Sequence, residues 1–241
     1  QLTNGLNKGR TRYGAAGSAF FLGPAGVDLA GVRAALAEAE RAGEPVALCG
    51  VAFAFVQLLD DLAARGLSYR LPPGSRLMDT GGFKGRSRSV ERSELLRGYA
   101  ERFGIDATRV VNEYGMTELG SQFYDAGLLG GDPEVKLGPH WVRTLVIDPE
   151  TGRPAPAGRP GLLCHFDLAN LDSVLAVETE DLGVWRGAGF QLLGRAAGAT
   201  AGLVTGFTTG RGPGLAAAGF AAALAAGAAD AHEQHLRIGY A

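Results

Sequence analysis

Arg109-Val110-Val111-Asn112-Glu113-Tyr114-Gly115-Met116-Thr117-Glu118 decides how this chain reads. Arg109 to Asn112 is a short, largely apolar run of the kind a buried strand makes. It opens without a linker into Tyr114 to Glu118, a loop of mixed chemistry. Within five residues that loop offers an aromatic face, a glycine that permits close backbone approach, a hydroxyl and a carboxylate. A nucleotide asks for such a set: a plane for the base, a donor for a phosphate oxygen, and a hard oxygen ligand for Mg²⁺. From these residues alone a second reading stands equal. Thr117 would cap a helix and Glu118 would lie in its first turn.

The segments upstream repeat the same arrangement. Asp28 is placed to cap a helix through Val32 and Leu36 that stops near Gly43. Pro45 to Cys49 reads as a buried strand, followed by a helix from about Ala52 to Arg65, with Phe55, Leu58, Leu59 and Leu62 at helical spacing. Arg76 to Met78 is a further short strand, which enters the loop Asp79-Thr80-Gly81-Gly82-Phe83-Lys84-Gly85. A helix from about Val90 to Phe103 follows, with Ser89 as its cap and Gly104 as its stop. Strand and helix alternate, which predicts an α/β fold with a parallel sheet flanked by helices. Ligands of such sheets sit beyond the carboxyl ends of the strands, where both glycine-containing loops lie.

The pattern changes near Gly138. Trp141 to Ile147, Leu162 to Phe166 and Val174 to Val177 are strand-like, and Asp148 to Gly161 is rich in Pro and Gly. The division expected is an α/β core over 1–137, a small β-rich subdomain over 138–195, and an Ala/Gly-rich tail over 196–241. The tail has strong residue bias without amphipathic patterning, which gives little basis for a packed core.

Bulk properties narrow the function. The 241 residues suffice for a sizeable core, and 46% hydrophobic with 20% charged residues is ordinary for a globular protein. A net charge of −2 argues against a basic nucleic-acid surface but leaves room for a nucleotide ligand. No run of about 18 apolar residues suggests a membrane span, and Leu215 to Ala229 carries too little apolar area to insert. Cys49 and Cys164 form no framework, which suits a reducing, cytoplasmic setting. Gln1 stands where Met is usual, so the chain is expected to be a piece of a longer protein that lacks its N-terminal part.

Three segments together carry a resemblance. Tyr114-Gly115-Met116-Thr117-Glu118 is similar to the core motif of the adenylate-forming superfamily of acyl-CoA ligases, luciferases and peptide-synthetase adenylation domains. Upstream, Asp79 to Lys84 resembles the Gly-Gly loop that lines the adenine; downstream, Thr179-Glu180-Asp181-Leu182-Gly183 with Gly194-Arg195 resembles the Thr-Gly-Asp…Gly-Arg pair. Gly81-Gly82-Phe83-Lys84-Gly85-Arg86 and His165-Phe166-Asp167-Leu168-Ala169-Asn170 most resemble the acyl-protein synthetases of LuxE type. The resemblance runs over about residues 40 to 195.

That resemblance implies an ATP- and Mg²⁺-dependent ligase. It would activate a fatty or aryl carboxylic acid as an acyl-adenylate and pass the acyl group to a thiol, on a protein or CoA, with an acyl-CoA reductase as a partner. It implies that Tyr114 stacks on adenine, that Gly81, Gly82 and Gly115 admit the nucleotide, and that Thr117 bonds the phosphate. Glu118 would hold Mg²⁺, Asp181 would take the ribose hydroxyls, and Arg195 would lie near ribose or phosphate. Thr117 and Glu118 would be the catalytic pair. Taken singly, Asp181 reads as a turn residue and Arg195 as a solvated charge; only their order lifts them.

The departures matter. A Ser/Thr/Gly-rich phosphate loop is expected ahead of these motifs, and Thr3 to Gly9 is a weak match. The family's acyl-accepting cysteine belongs near the C-terminus, whereas no cysteine follows Arg195, and Cys164 does not match that place. A degenerate, non-catalytic module of the same fold is therefore the alternative. Other residues carry two readings: Phe53, Phe55 and Val56 line an acyl pocket or, with at least equal weight, form plain helix core; Lys84, Arg86 and Arg88 form a basic cluster that faces phosphate or, for the arginines first, is a solvated loop; His140 reads as structural before catalytic. His165 and Cys164 alternate on a strand and make no nucleophile–base pair. His232 and His235 lack zincin spacing, and Gly210 to Gly214 only superficially matches a dinucleotide fingerprint.

Overall fold

The computed structural model describes residues 17–82 and 87–196. Lys84, Arg86, Thr3 to Gly9 and all features of the tail beyond Ala196 lie outside the described residues. Two compact units are present: one holds the chain up to Thr117 together with Gln122–Pro133, the other Glu118–Ser121 and the chain from Glu134 on.

The first unit begins with a small antiparallel pair, β1 (Leu22–Gly23) and β2 (Gly26–Val27). Helix α1 (Leu29–Ala42) follows, and Asp28 caps it by accepting from the Gly31 amide at 2.9 Å. Gly43, at φ 69°, ends it in the left-handed conformation usual for glycine. Strand β3 (Ala47–Val51) runs straight into α2 (Ala52–Ala64), and β4 (Arg76–Thr80) leads through the Gly81–Gly82 loop to α3 (Arg92–Phe103). Strands β5 (Val110–Tyr114) and β6 (Phe123–Asp125) complete the unit's sheet.

The sheet order in this unit is β3-β4-β5-β6. The first three strands are parallel, as strand–helix alternation requires, and β6 is antiparallel to β5. Leu95, Tyr99 and Phe103 of α3 recur at four-residue spacing and are buried with Leu36 of α1, Val56, Leu58 and Leu62 of α2, and Leu77 and Val110 of the sheet. Each large apolar side chain so buried contributes about 1.5–3 kcal/mol. Phe55 belongs to this core and meets Tyr99 edge-on at 5.4 Å, so the core reading holds for Phe55 and Val56.

Two expectations need correction here. Ser89 does not cap α3: the cap position is Glu91, whose side chain makes no capping bond, because the chain stays extended through it at φ −66°, ψ 147°. No helix follows Tyr114. Thr117 and Glu118 lie in a turn, and the next regular element is β6.

The second unit is antiparallel β throughout. It contains β7 (Val135–Leu137), β8 (Val142–Ile147), β9 (Gly161–Asp167), β10 (Ala176–Arg186) and β11 (Gly189–Arg195), in the order β7-β11-β10-β9-β8. The Pro/Gly-rich stretch joins β8 to β9 as a hairpin, with Ile147 opposite Leu162. Leu163, Cys164, Val177, Val184 and Phe190 are buried in this unit. Strand β10 is longer than the expected Val174 to Val177 and takes in Thr179 to Gly183, so Asp181 stands in a strand and not in a turn.

Candidate functional site

In the first unit the two motif loops emerge from neighbouring parallel strands. Thr80 of β4 pairs with Glu113 of β5; Gly81 follows Thr80 directly, and Gly115 follows Glu113 by two residues, after Tyr114. Gly81 has φ +67°, a conformation that L side chains rarely adopt, and it and Gly82 are exposed. At Gly115 a β-carbon would stand 2.4 Å from Glu113 Oε1, so any larger residue requires the buried Glu113 side chain to shift. Tyr114 is 8% exposed and its ring is tilted against Phe123 at 5.8 Å.

Beneath these loops lies a polar network that sequence reasoning did not find. Asp79 is fully buried, and its carboxylate accepts from Arg92 at 2.5 Å, Tyr99 Oη at 2.8 Å and Asn112 Nδ2 at 2.7 Å. Arg92 also stands 3.6 Å from Asp125, which accepts from the Asn112 amide at 2.7 Å. Thr80 donates to the buried Glu113 carboxylate. A buried carboxylate is tolerated only when hydrogen-bonded and paired, and here three donors meet one acid. Burial, then the charge of Asp79, pushes the Tyr99 phenol up, so it remains a donor at any ordinary pH. Tyr124 is likewise raised, by burial and by Glu113. The network ties the end of β4 to the ends of β5 and β6 and to the first turn of α3.

In the second unit Asp181 and Arg195 are cross-strand partners of β10 and β11. Arg195 Nε lies 3.7 Å from Asp181 Oδ1, and its Nη1 lies 3.2 Å from Glu180 Oε2. The Asp181 side chain is 18% exposed and that of Arg195 63%. The local geometry is a bulge. Glu178 pairs with Cys164 and Leu182 with Leu162, so β10 spends two more residues than β9 over the same stretch. The Thr179 hydroxyl fills the gap by donating to the Leu163 carbonyl at 2.9 Å and accepting from the Asp181 amide at 3.1 Å. Bulges of this kind re-aim a side chain without ending the strand.

Glu118 is half-buried in the second unit, and its carbonyl accepts from Asn170 Nδ2 at 2.7 Å. Among the described residues no cluster of three or more His, Cys, Asp or Glu stands ready to hold a metal. One protein carboxylate fits Mg²⁺ shared with phosphates, which commonly binds through one or two carboxylates, and does not fit an all-protein cage.

The remaining candidates have other surroundings. Arg88 is paired with Asp60 at 3.0 Å and Glu94 at 2.8 Å. His140 packs edge-on against Trp141 at 4.7 Å. Cys164 is fully buried, and burial, reinforced by Glu178, pushes its thiol up to about 12. His165 is fully buried with Thr144 Oγ1 2.9 Å from Nδ1, and burial lowers its pKa to about 4. No helix among the described residues is long and apolar enough to cross a membrane.

Comparison with known proteins agrees with this architecture. The crystal structure of ATP-bound MatB from Rhodopseudomonas palustris is similar with a TM-score of 0.50 and 20% identity, over 70% of this chain and 33% of that one. The likeness is one of fold. The family model for acyl-protein synthetase, LuxE, matches residues 25–203, so the chain belongs to the LuxE acyl-protein synthetase family. The long-chain-fatty-acid–luciferin-component ligase of Vibrio harveyi is 23% identical over 163 residues, which are 66% of this chain and 42% of that relative. The chain thus spans about two fifths of the curated relative it matches.

Proposed function

We propose that this chain is the part of an acyl-activating ligase that takes ATP and a carboxylic acid to an acyl-adenylate. The observation that carries the reading is the pairing of Asp181 with Arg195 on a bulged strand pair, in a chain whose Tyr114–Glu118 loop leaves a parallel strand. Asp181 offers two acceptor oxygens to the ribose hydroxyls, and Arg195 presents a cation to ribose or phosphate. Gly81, Gly82 and Gly115 admit the base and Tyr114 stacks on it. Thr117 donates to a phosphate oxygen.

A carboxylate oxygen of the acid attacks the α-phosphorus, the bond from that phosphorus to the bridging oxygen breaks, and pyrophosphate leaves. Two anions meet in that step, so positive charge must offset their repulsion. Mg²⁺, with Glu118 as its protein ligand, supplies charge of that kind on the phosphates when bound. In the second half a thiolate attacks the acyl carbon, AMP departs, and the thiol proton goes to solvent. Cys164 is no candidate acceptor, being buried and held protonated, whereas Cys49 is exposed; the acceptor in this reading is a thiol of another protein, of CoA, or of another part of the parent, with Cys49 the one accessible thiol among the described residues. The name of the Vibrio harveyi relative favours a fatty acid over an aryl acid, and an acyl-CoA reductase is the onward partner in this reading.

ATP–pyrophosphate exchange with a panel of acids, on the full-length parent, tests this. Glu118→Gln and Asp181→Ala are each expected to lower exchange at least tenfold. Equal exchange in both variants and wild type rejects the site, and no exchange with any acid in an intact parent favours the non-catalytic module.

A further inference from the structure

Glu118 to Ser121 has neither helix nor strand of its own, so its backbone groups must find partners elsewhere. They find them at the end of β9 and in the loop that follows. The Ser121 amide donates to Asp167 Oδ2 at 2.8 Å and the Ser121 hydroxyl to Asp167 Oδ1 at 2.9 Å. The Ala169 amide donates to the same Oδ1 at 2.9 Å, and Trp141 Nε1 donates to Ser121 Oγ at 2.8 Å. Asn170 Nδ2 is shared between the carbonyls of Glu118 at 2.7 Å and Val174 at 3.0 Å. At Gly120 a β-carbon would stand 2.9 Å from Asn170 Oδ1 and 3.3 Å from Ala169 Cβ, so the two segments lie in close contact.

Asp167 is 0% exposed. Burying a carboxylate is costly, and a neutral residue would serve an ordinary turn. A charge-assisted acceptor binds an N–H and a hydroxyl roughly twice as strongly as a neutral one. The effect is to fix the main chain at both ends of a four-residue stretch, by its first carbonyl and by its last amide. Glu118 is the first residue of that stretch.

We infer that Asp167 and Asn170 are positioning residues for Glu118, holding its backbone so that its carboxylate is presented in one place. The inference rests on the metal-holding role proposed above for Glu118. Neither residue is expected to touch substrate. Outer partners that orient a metal ligand typically change metal affinity or activity 10- to 100-fold when lost.

The test uses the full-length protein with Asp167→Asn and Asn170→Ala. Asparagine keeps the shape of Asp167 but can accept at only one of its two positions. Amide hydrogen exchange is read over Glu118–Gln122, and kcat, the KM for ATP and acid, and the Mg²⁺ half-saturation are read from pyrophosphate exchange. Expected are faster amide exchange confined to that stretch, a kcat lower by roughly tenfold or more, a raised Mg²⁺ requirement, and an unchanged KM for the acid. Unchanged protection at Ser121 overturns the clamp. Lost protection with kcat and the Mg²⁺ requirement intact, while Glu118→Gln abolishes turnover, overturns the positioning role. Wild-type turnover in Glu118→Gln is instead a failure of the proposed function, recognisable because Ser121 protection is then undisturbed.

Discussion

Asp181 and Arg195 stand opposite each other in the β10–β11 pair, with Arg195 Nε 3.7 Å from Asp181 Oδ1. Fourteen positions apart in sequence, they are brought together by a hairpin that turns at Gly187. The guanidinium is largely exposed, and an exposed pair of this kind adds about 0–1 kcal/mol to stability. The proposed function places its worth in ligand binding. Arg195→Ala is expected to leave the melting temperature within a degree or two and to weaken ATP binding about tenfold. Asp181→Asn is expected to weaken it further, by about 2 kcal/mol, because a charged acceptor is lost. Calorimetric titration with ATP, beside a thermal melt, checks both.

Arg92 is predicted to matter for folding more than for turnover. Its loss strands the Asp79 carboxylate, which is fully buried, with only Tyr99 and Asn112 as donors. Breaking a buried pair from one side costs on the order of 3–5 kcal/mol, and the two remaining donors place Arg92→Met at the lower end. Asp79→Asn in the same chain should recover part of the loss, since no charge is then left unpaired. Urea unfolding of the single and double variants measures this.

An acid limb in stability should trace to His165. The imidazole is buried and its pKa is lowered from 6.5 to about 4, first by burial, with Asp167 opposing. Below about pH 6.5 the unfolded chain takes up a proton that the folded chain does not, so stability falls as pH drops from about 6.5 to about 4. The full loss is roughly 3 kcal/mol, and above pH 7 the group contributes no slope. His165→Gln should flatten the limb in denaturant titrations between pH 4 and 7.

Gly115 tests the loop directly. An added methyl would meet Glu113 Oε1 at 2.4 Å and require a shift of that buried carboxylate, whose other oxygen accepts from the Thr80 hydroxyl. Gly115→Ala is expected to cost about 1–3 kcal/mol, as overpacking does. Gly82→Ala, where the added atom meets nothing within 4 Å, should be neutral for stability. Parallel melts of the two variants distinguish the sites.

The parallel half of the fold is legible in the sequence because its signals are local. Asp28 and Gly43 bracket α1, and apolar runs mark β3, β4 and β5. The strands that escape notice lack such signals. Phe123–Asp125 and Val135–Leu137 are too short for alternation to register, and β11 is interrupted by Gly194. Strand β10 hides behind Glu178-Thr179-Glu180-Asp181, four polar residues in a row, because a bulge removes the need to alternate. For the candidate site, the motif residues are visible through order along the chain. Their supports are not. Asp167 meets Ser121 across 46 positions and Asn112 meets Asp79 across 33, and no local pattern records such contacts.

Isotope tracing tests the central claim most directly. The full-length protein is given ATP, Mg²⁺ and a long-chain fatty acid labelled with ¹⁸O in both carboxylate oxygens, and the nucleotide and phosphate products are weighed by mass spectrometry. Attack on the α-phosphorus predicts AMP carrying one ¹⁸O, with unlabelled pyrophosphate. ADP as the product, with ¹⁸O in inorganic phosphate, would contradict the account.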